Sequence, residues 1–162
     1  MVKKVCDFLS GVIFVFLVIM ALLMFVPNLI GYKSMAVISG SMEPNIPVGS
    51  IVYAKKADFD DFKVGDVVSY RISESSMVTH RVEAIDNDAR TLTTKGDANE
   101  NADGSPVEEN QIVGKVAFSV PLIGFISIYI KTPLGIAAGC AVIFVLILLN
   151  FIPDLLTKEE KQ

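Results

Sequence analysis

A serine held between glycine and proline, in Ser39-Gly40-Ser41-Met42-Glu43-Pro44, precedes the only histidine, in Thr79-His80-Arg81-Val82, and two later aspartates, Asp97 and Asp103. A neutral hydroxyl is a weak nucleophile and needs a base within hydrogen-bond reach. An imidazole can accept that proton near neutral pH, and a carboxylate on its second nitrogen would fix the tautomer and stabilise the imidazolium. Gly40 lets a substrate backbone approach, while Pro44 and Pro47 stiffen the loop. Ser39 could aim a hydroxyl at a developing oxyanion beside the Ser41 amide. Each residue also has a plainer reading. Serine beside glycine usually marks a turn. His80 shares a strand face with Val78 and Val82, as a packed core residue would. Asp97 and Asp103 could belong to a solvated acidic loop with Glu100, Glu108 and Glu109. On the residues alone, either aspartate could orient His80.

Such groups need a scaffold, and composition indicates where it stands. Of 162 residues 52% are hydrophobic, more than an ordinary soluble domain carries. The excess lies in two uncharged runs, Phe8 to Pro27 and Leu134 to Ile152, each long enough to cross roughly 30 Å of hydrocarbon as a helix. A cleaved secretory leader ending near Ser34-Met35-Ala36 competes for the first run. The run exceeds the about 7–15 residues of a leader's apolar region, and cleavage there would leave Ser41 at an unanchored terminus. A retained anchor is therefore expected. Lys3 and Lys4 then put the N-terminus in the cytoplasm and the intervening segment outside. The second helix returns the tail (Asp154, Lys158, Glu159, Glu160, Lys161) to the cytoplasm, although its mixed charge adds little support.

A net charge of −4 supplies no basic stripe for nucleic acid. One histidine with the separated Cys6 and Cys140 makes no zinc set, so no metal and no other cofactor is expected. Both cysteines fall at or inside the helices, leaving the external segment without a disulfide. Gly135 and Gly139 form a GxxxG that permits close helix packing, though glycine is common in membrane helices anyway.

Between the helices, short β-rich runs alternate with turns: Ala36-Val37-Ile38, Ser50 to Ala54, Asp66 to Ile72, Met77 to Ile85, Thr91 to Lys95 and Ile112 to Phe118. Asp86-Asn87-Asp88-Ala89 suits a hairpin loop, and Asp97 to Asn110 reads as a polar loop. Val120 to Ile130 is nearly all apolar but interrupted by Pro121 and Gly124. It reads either as an interfacial surface of the β domain or as a buried final strand. The expected fold is mainly β, a partly open barrel or folded sheet carrying the chemistry and flanked by two transmembrane helices. The expected division is an anchor at 1–30, an extracytoplasmic β domain at 31–131, and a second helix with a short tail at 132–162.

In this order the blocks resemble type I signal peptidases, specifically the serine–histidine branch of the endoplasmic reticulum, archaea and some Gram-positive bacteria. Ser39 to Pro44 looks like the nucleophile box and Gly65-Asp66-Val67-Val68 is similar to a structural strand box. Thr79 to Val82 has histidine where the serine–lysine branch carries its base. Lys95-Gly96-Asp97-Ala98-Asn99 resembles the terminal Gly-Asp box, with Ala98 where many relatives have Asn. The resemblance implies a multi-pass protein of the cell or endoplasmic reticulum membrane that cleaves signal peptides from secreted preproteins, with Ser41 as nucleophile, His80 as base and Asp103 as the triad carboxylate. Asp97 would support the site, and Ser39 with the Ser41 amide would hold the oxyanion. Small residues are implied at positions −3 and −1 of the substrate. Membrane lipid is an expected partner, and accessory subunits or a translocon are left open. Two rivals remain: a serine–lysine enzyme using Lys95, and a non-catalytic membrane-anchored β module that binds extracytoplasmic partners.

Overall fold

Every strand falls within one compact unit, Val26–Phe125, and the flanking segments Met1–Phe25 and Ile126–Gln162 form a second. The computed structural model describes residues 2–74 and 76–159, so Glu160 and Lys161 of the tail lie outside the described residues.

In the helical unit, α1 (Val2–Leu29) and α3 (Pro133–Glu159) absorb the two apolar runs. Both are long and apolar enough to cross a membrane, and among the described residues most of their large apolar side chains are exposed. Gly135 has a more local role than the GxxxG reading suggests. A Cβ there would fall 2.0 Å from the Tyr129 carbonyl oxygen, in the turn entering α3, while Gly139 meets nothing.

The other unit is a seven-stranded antiparallel sheet curled into an open half barrel. Its strands are β1 (Tyr32–Ala36), β2 (Ile51–Lys55), β3 (Val67–Arg71), β4 (Met77–Asp86), β5 (Thr91–Lys95), β6 (Val107–Glu108) and β7 (Ile112–Val120). Their spatial order is β1-β2-β7-β3-β4-β5-β6. Register shifts at Tyr53/Ala54, Ser69/Tyr70 and Val82/Ala84 bend it, since each extra residue adds local twist. The hairpin after Asp86 forms as expected, with the Ala89 amide donating to the Asp86 carboxylate at 2.9 Å.

Alternation on β3, β4 and β5 drives Val68, Tyr70, Val82 and Leu92 inward onto Phe59, Phe62 and Val107. A second cluster gathers Met42, Ile46 and Val52 under the serine loop. Burying a side chain of this size contributes roughly 1.5–3 kcal/mol, which anchors the loop as well as the sheet.

Two segments depart from the sequence reading. The loop at 97–110 contains the short strand β6, which closes the sheet against β5. Val120 to Ile130 holds no final strand: β7 ends at Val120, and Ile123–Tyr129 is a helix, α2. Its first turn needs glycine, because a Cβ on Gly124 would meet the Ser50 carbonyl oxygen at 2.4 Å. The Gly124 amide instead donates to the Gly49 carbonyl at 2.9 Å.

Candidate active site

Ser41 opens a single helical turn after β1, closed by the Ile46 amide donating to the Met42 carbonyl at 2.8 Å. Buried Met42 and Ile46 pin that turn to the core, so the hydroxyl between them and the groove has a fixed origin. His80 sits on the inward face of β4 and is 8% exposed. Its Nε2 lies 3.1 Å from Ser41 Oγ, and its Nδ1 lies 2.7 Å from Asp103 Oδ2. Residues 41, 80 and 103 thus form one hydrogen-bonded line.

Electrostatics sets the direction of that line. Burial pushes the Asp103 carboxyl up, but hydrogen bonds from His80 and Thr94, the charge of His80 and the Tyr70 hydroxyl outweigh it and hold Asp103 below the usual carboxylate range. An ionised carboxylate only accepts hydrogen bonds. Nδ1 must therefore carry the ring proton, and Nε2 is left to accept from the Ser41 hydroxyl, as a general base must.

Asp97 serves a different partner. Arg81, the next residue on β4, points to the opposite face and clamps Asp97 with two parallel bonds, Nε to Oδ1 at 2.8 Å and Nη2 to Oδ2 at 2.7 Å. The Asn45 side-chain amide adds a bond to Asp97 Oδ2 at 2.8 Å. These bonds hold Asp97 below its usual range, with Arg81 the largest cause. Asp97 therefore braces the loop through Arg81 and Asn45 side chains, not through backbone amides. Next to it, the Ala98 amide donates to the Ser41 carbonyl at 2.9 Å, so the small side chain at 98 leaves the contact intact. Gly96 is required here, because a Cβ would sit 2.6 Å from the Ser41 carbonyl oxygen.

Ser39 Oγ is 3.4 Å from Ser41 Oγ, close enough to share the mouth of the site. Lys95 pairs with Glu83 at 3.4 Å, on the face that carries Arg81, so its ammonium is turned away from Ser41. Among the described residues no cluster of three or more potential metal ligands occurs.

A groove of about 610 Å³ runs past the serine, lined on one side by Ser34 to Ser39 and on the other by Ser76 to His80. β1 is an edge strand, paired only with β2. The β4 segment Met77 to His80 pairs with β3, while pairing with β5 begins only at Arg81. Among the described residues, β1 and the Met77 to His80 stretch of β4 each have one edge with no paired strand beside the groove, and on β1 the Ser34 amide donates to Asn28 Oδ1 at 3.3 Å. Sequence reasoning did not find Tyr70, Thr94 or Asn45. The available signal was an inward tyrosine and threonine on alternating strands, since a buried hydroxyl must find a partner.

No protein-family profile matches the chain. It is 32% identical over 130 residues to signal peptidase I W of Bacillus subtilis, a match covering 74% of this chain and 68% of that protein. Two yeast proteins, both signal peptidase complex catalytic subunit SEC11, also match. That of Zygosaccharomyces rouxii is 35% identical over 108 residues, covering 59% of this chain and 64% of its own length. That of Candida albicans is 37% identical over 106 residues, covering 59% and 63%. The chain thus spans less than two thirds of the yeast proteins' length. At this identity, across more than two thirds of the Bacillus protein, the resemblance carried by the four sequence blocks is borne out: the chain belongs to the type I signal peptidases, peptide-bond hydrolases, in the branch that takes in the endoplasmic reticulum and Gram-positive enzymes.

Proposed function

We propose that this protein is a membrane-anchored serine endopeptidase that removes signal peptides from translocated preproteins, with Ser41 as nucleophile, His80 as general base and Asp103 as its orienting carboxylate. The unbroken line from Ser41 Oγ through His80 to Asp103 carries this reading. A preprotein segment enters the groove extended, taking main-chain hydrogen bonds from the β1 edge and from Met77 to His80. Ser41 Oγ attacks the scissile carbonyl carbon as its proton passes to Nε2. The Ser41 amide and the Ser39 hydroxyl receive the oxyanion. The C–N bond then breaks, Nε2–H protonates the leaving amine, and an acyl-enzyme remains. Water gives a proton to Nε2 and attacks the ester carbonyl carbon; the bond from that carbon to Ser41 Oγ then breaks as Nε2–H returns the proton to Oγ.

In this reading the chain divides into an N-terminal anchor at 1–30, a β catalytic domain at 31–131 and a second helix with a short tail at 132–162. Lys3 and Lys4 argue for cytoplasmic termini and an outer catalytic face. The decisive experiment is preprotein cleavage by the full chain in vesicles, beside Ser41→Ala. Cleavage after small residues by the wild type alone is expected. No cleavage by either protein would favour the binding-module reading, and equal cleavage by both would overturn the role of Ser41. Protease protection in sealed right-side-out vesicles tests the topology: Asp103 protected with the tail cut would reverse it.

A further inference from the structure

Asp103 Oδ2 is crowded with donors. Besides His80 Nδ1 at 2.7 Å it receives Thr94 Oγ1 at 2.6 Å and Tyr70 OH at 3.0 Å. The Thr94 hydroxyl is also 3.3 Å from Tyr70 OH. Its single proton goes to the nearer, charged acceptor, because charge-assisted bonds are the shorter and stronger ones. That leaves the Tyr70 proton for Asp103 as well.

The strand registers make this arrangement systematic. Val78 pairs with Tyr70 and Val82 with Thr94, so the two hydroxyl residues lie diagonally on either side of His80, on the inward face of its neighbouring strands. The Tyr70 ring also meets the imidazole edge-on, at 6.4 Å between centroids and 68° between planes. Thr94 is 0% exposed and Tyr70 5%. Packing alone would be served by valine and phenylalanine of similar shape, and a buried hydroxyl is costly unless it is bonded.

We propose that Tyr70 and Thr94 are positioning residues that keep Asp103 ionised and aimed at Nδ1, so that His80 is held in the one tautomer able to accept the Ser41 proton. This rests on the triad reading and adds the groups that make it rigid. Burial first, and then the Asp103 charge, raises the Tyr70 hydroxyl to about 12, so it remains a donor through the neutral range. A carboxylate with one hydrogen-bonded neighbour can rotate; one held by three donors from three strands cannot do so without breaking buried bonds.

Because His80 is the only histidine, nitrogen-15 histidine labelling of the full chain in detergent micelles gives one imidazole, whose two nitrogen shifts report the tautomer. The wild type should show Nδ1 protonated and Nε2 free of a proton. Tyr70→Phe and Thr94→Val should each mix the tautomers and lower kcat by about tenfold while leaving KM nearly unchanged, as expected when a reacting group is misaimed and not lost. Thr94→Ser should restore both readouts. A single wild-type tautomer with wild-type kcat in both hydroxyl-deleting variants would overturn the proposal. Should Thr94→Val fail to fold, Tyr70→Phe, which keeps the ring, decides by the same two readouts. Ser41→Ala separates the levels: if it still turns over, the triad reading fails; if it is inactive while the hydroxyl variants behave as wild type, only the positioning role fails.

Discussion

His80 and Arg81 are neighbours on one strand, and each holds an aspartate from the same loop, yet the two pairs are built differently. His80 faces inward to Asp103, whose other partners are the neutral hydroxyls of Thr94 and Tyr70. Arg81 faces the other way and grips Asp97 in a bidentate ion pair with the Asn45 amide alongside. A guanidinium is always charged, so the second pair can only hold. An imidazole changes charge near neutral pH, so the first can hold and also move a proton. Strand alternation sorts two chemically identical side chains, six residues apart, into one that meets an imidazole and one that meets a guanidinium.

The largest expected effect lies on the His80 side. Ser41→Ala and His80→Ala should each lower kcat by roughly 10⁶-fold, and the double variant should be no worse, because residues acting as a unit are not additive. A double variant far slower than either single would show that they act separately. Asp103→Asn should follow, losing about 10⁴-fold in kcat through the wrong tautomer with its melting temperature nearly kept. Asp97→Asn should invert that pattern, costing about 2–3 kcal/mol of stability and a smaller share of rate, since it leaves Arg81 partly buried without its counter-charge. Thermal melts beside kinetics read both variants, and the same profile in the two would erase the distinction.

Acid should weaken both pairs. In the folded chain each carboxyl titrates below its ordinary value of 3.8. Between that value and the folded one the unfolded chain binds more protons, so stability is full above the interval and falls as pH falls through it. The melting temperature should hold down to about pH 4 and then drop, less steeply in Asp97→Asn. Activity should also decline toward acid, because only neutral imidazole accepts the serine proton; a pH–rate profile with no acidic limb would count against His80 as the base. The smallest effect is expected from Lys95→Ala, which loses an ion pair with Glu83 and should keep near-normal rates; a collapse there with His80→Ala still active would restore the serine–lysine reading.

Ser41, His80 and Asp103 were legible because their chemistry is rare in this chain: one imidazole, one tight Gly/Pro serine loop, one acidic segment after the histidine strand. The resemblance chose between the aspartates, a choice the bare residues left open. Tyr70, Thr94 and Asn45 were not legible, because they reach the site through sheet pairing and through a contact between Asn45 and Asp97, which lie 52 residues apart in sequence. The helix at Ile123–Tyr129 was missed for another reason. An all-apolar run has no period to read, and the deciding feature was the close approach of Gly124 to the Gly49-Ser50 backbone.

The two strand edges beside the groove carry one more consequence. Main-chain donors and acceptors look alike in nearly every residue, so a slot bounded by them screens for shape before it screens for spelling. On the proposed function, a preprotein segment that is helical across the scissile bond has its amides bonded internally and must unwind to enter; a proline within the slot lacks one. In the proposed reading, diversity of sequence is tolerated wherever the backbone can lie flat, and the side chains beside the serine need only be small enough to let it do so.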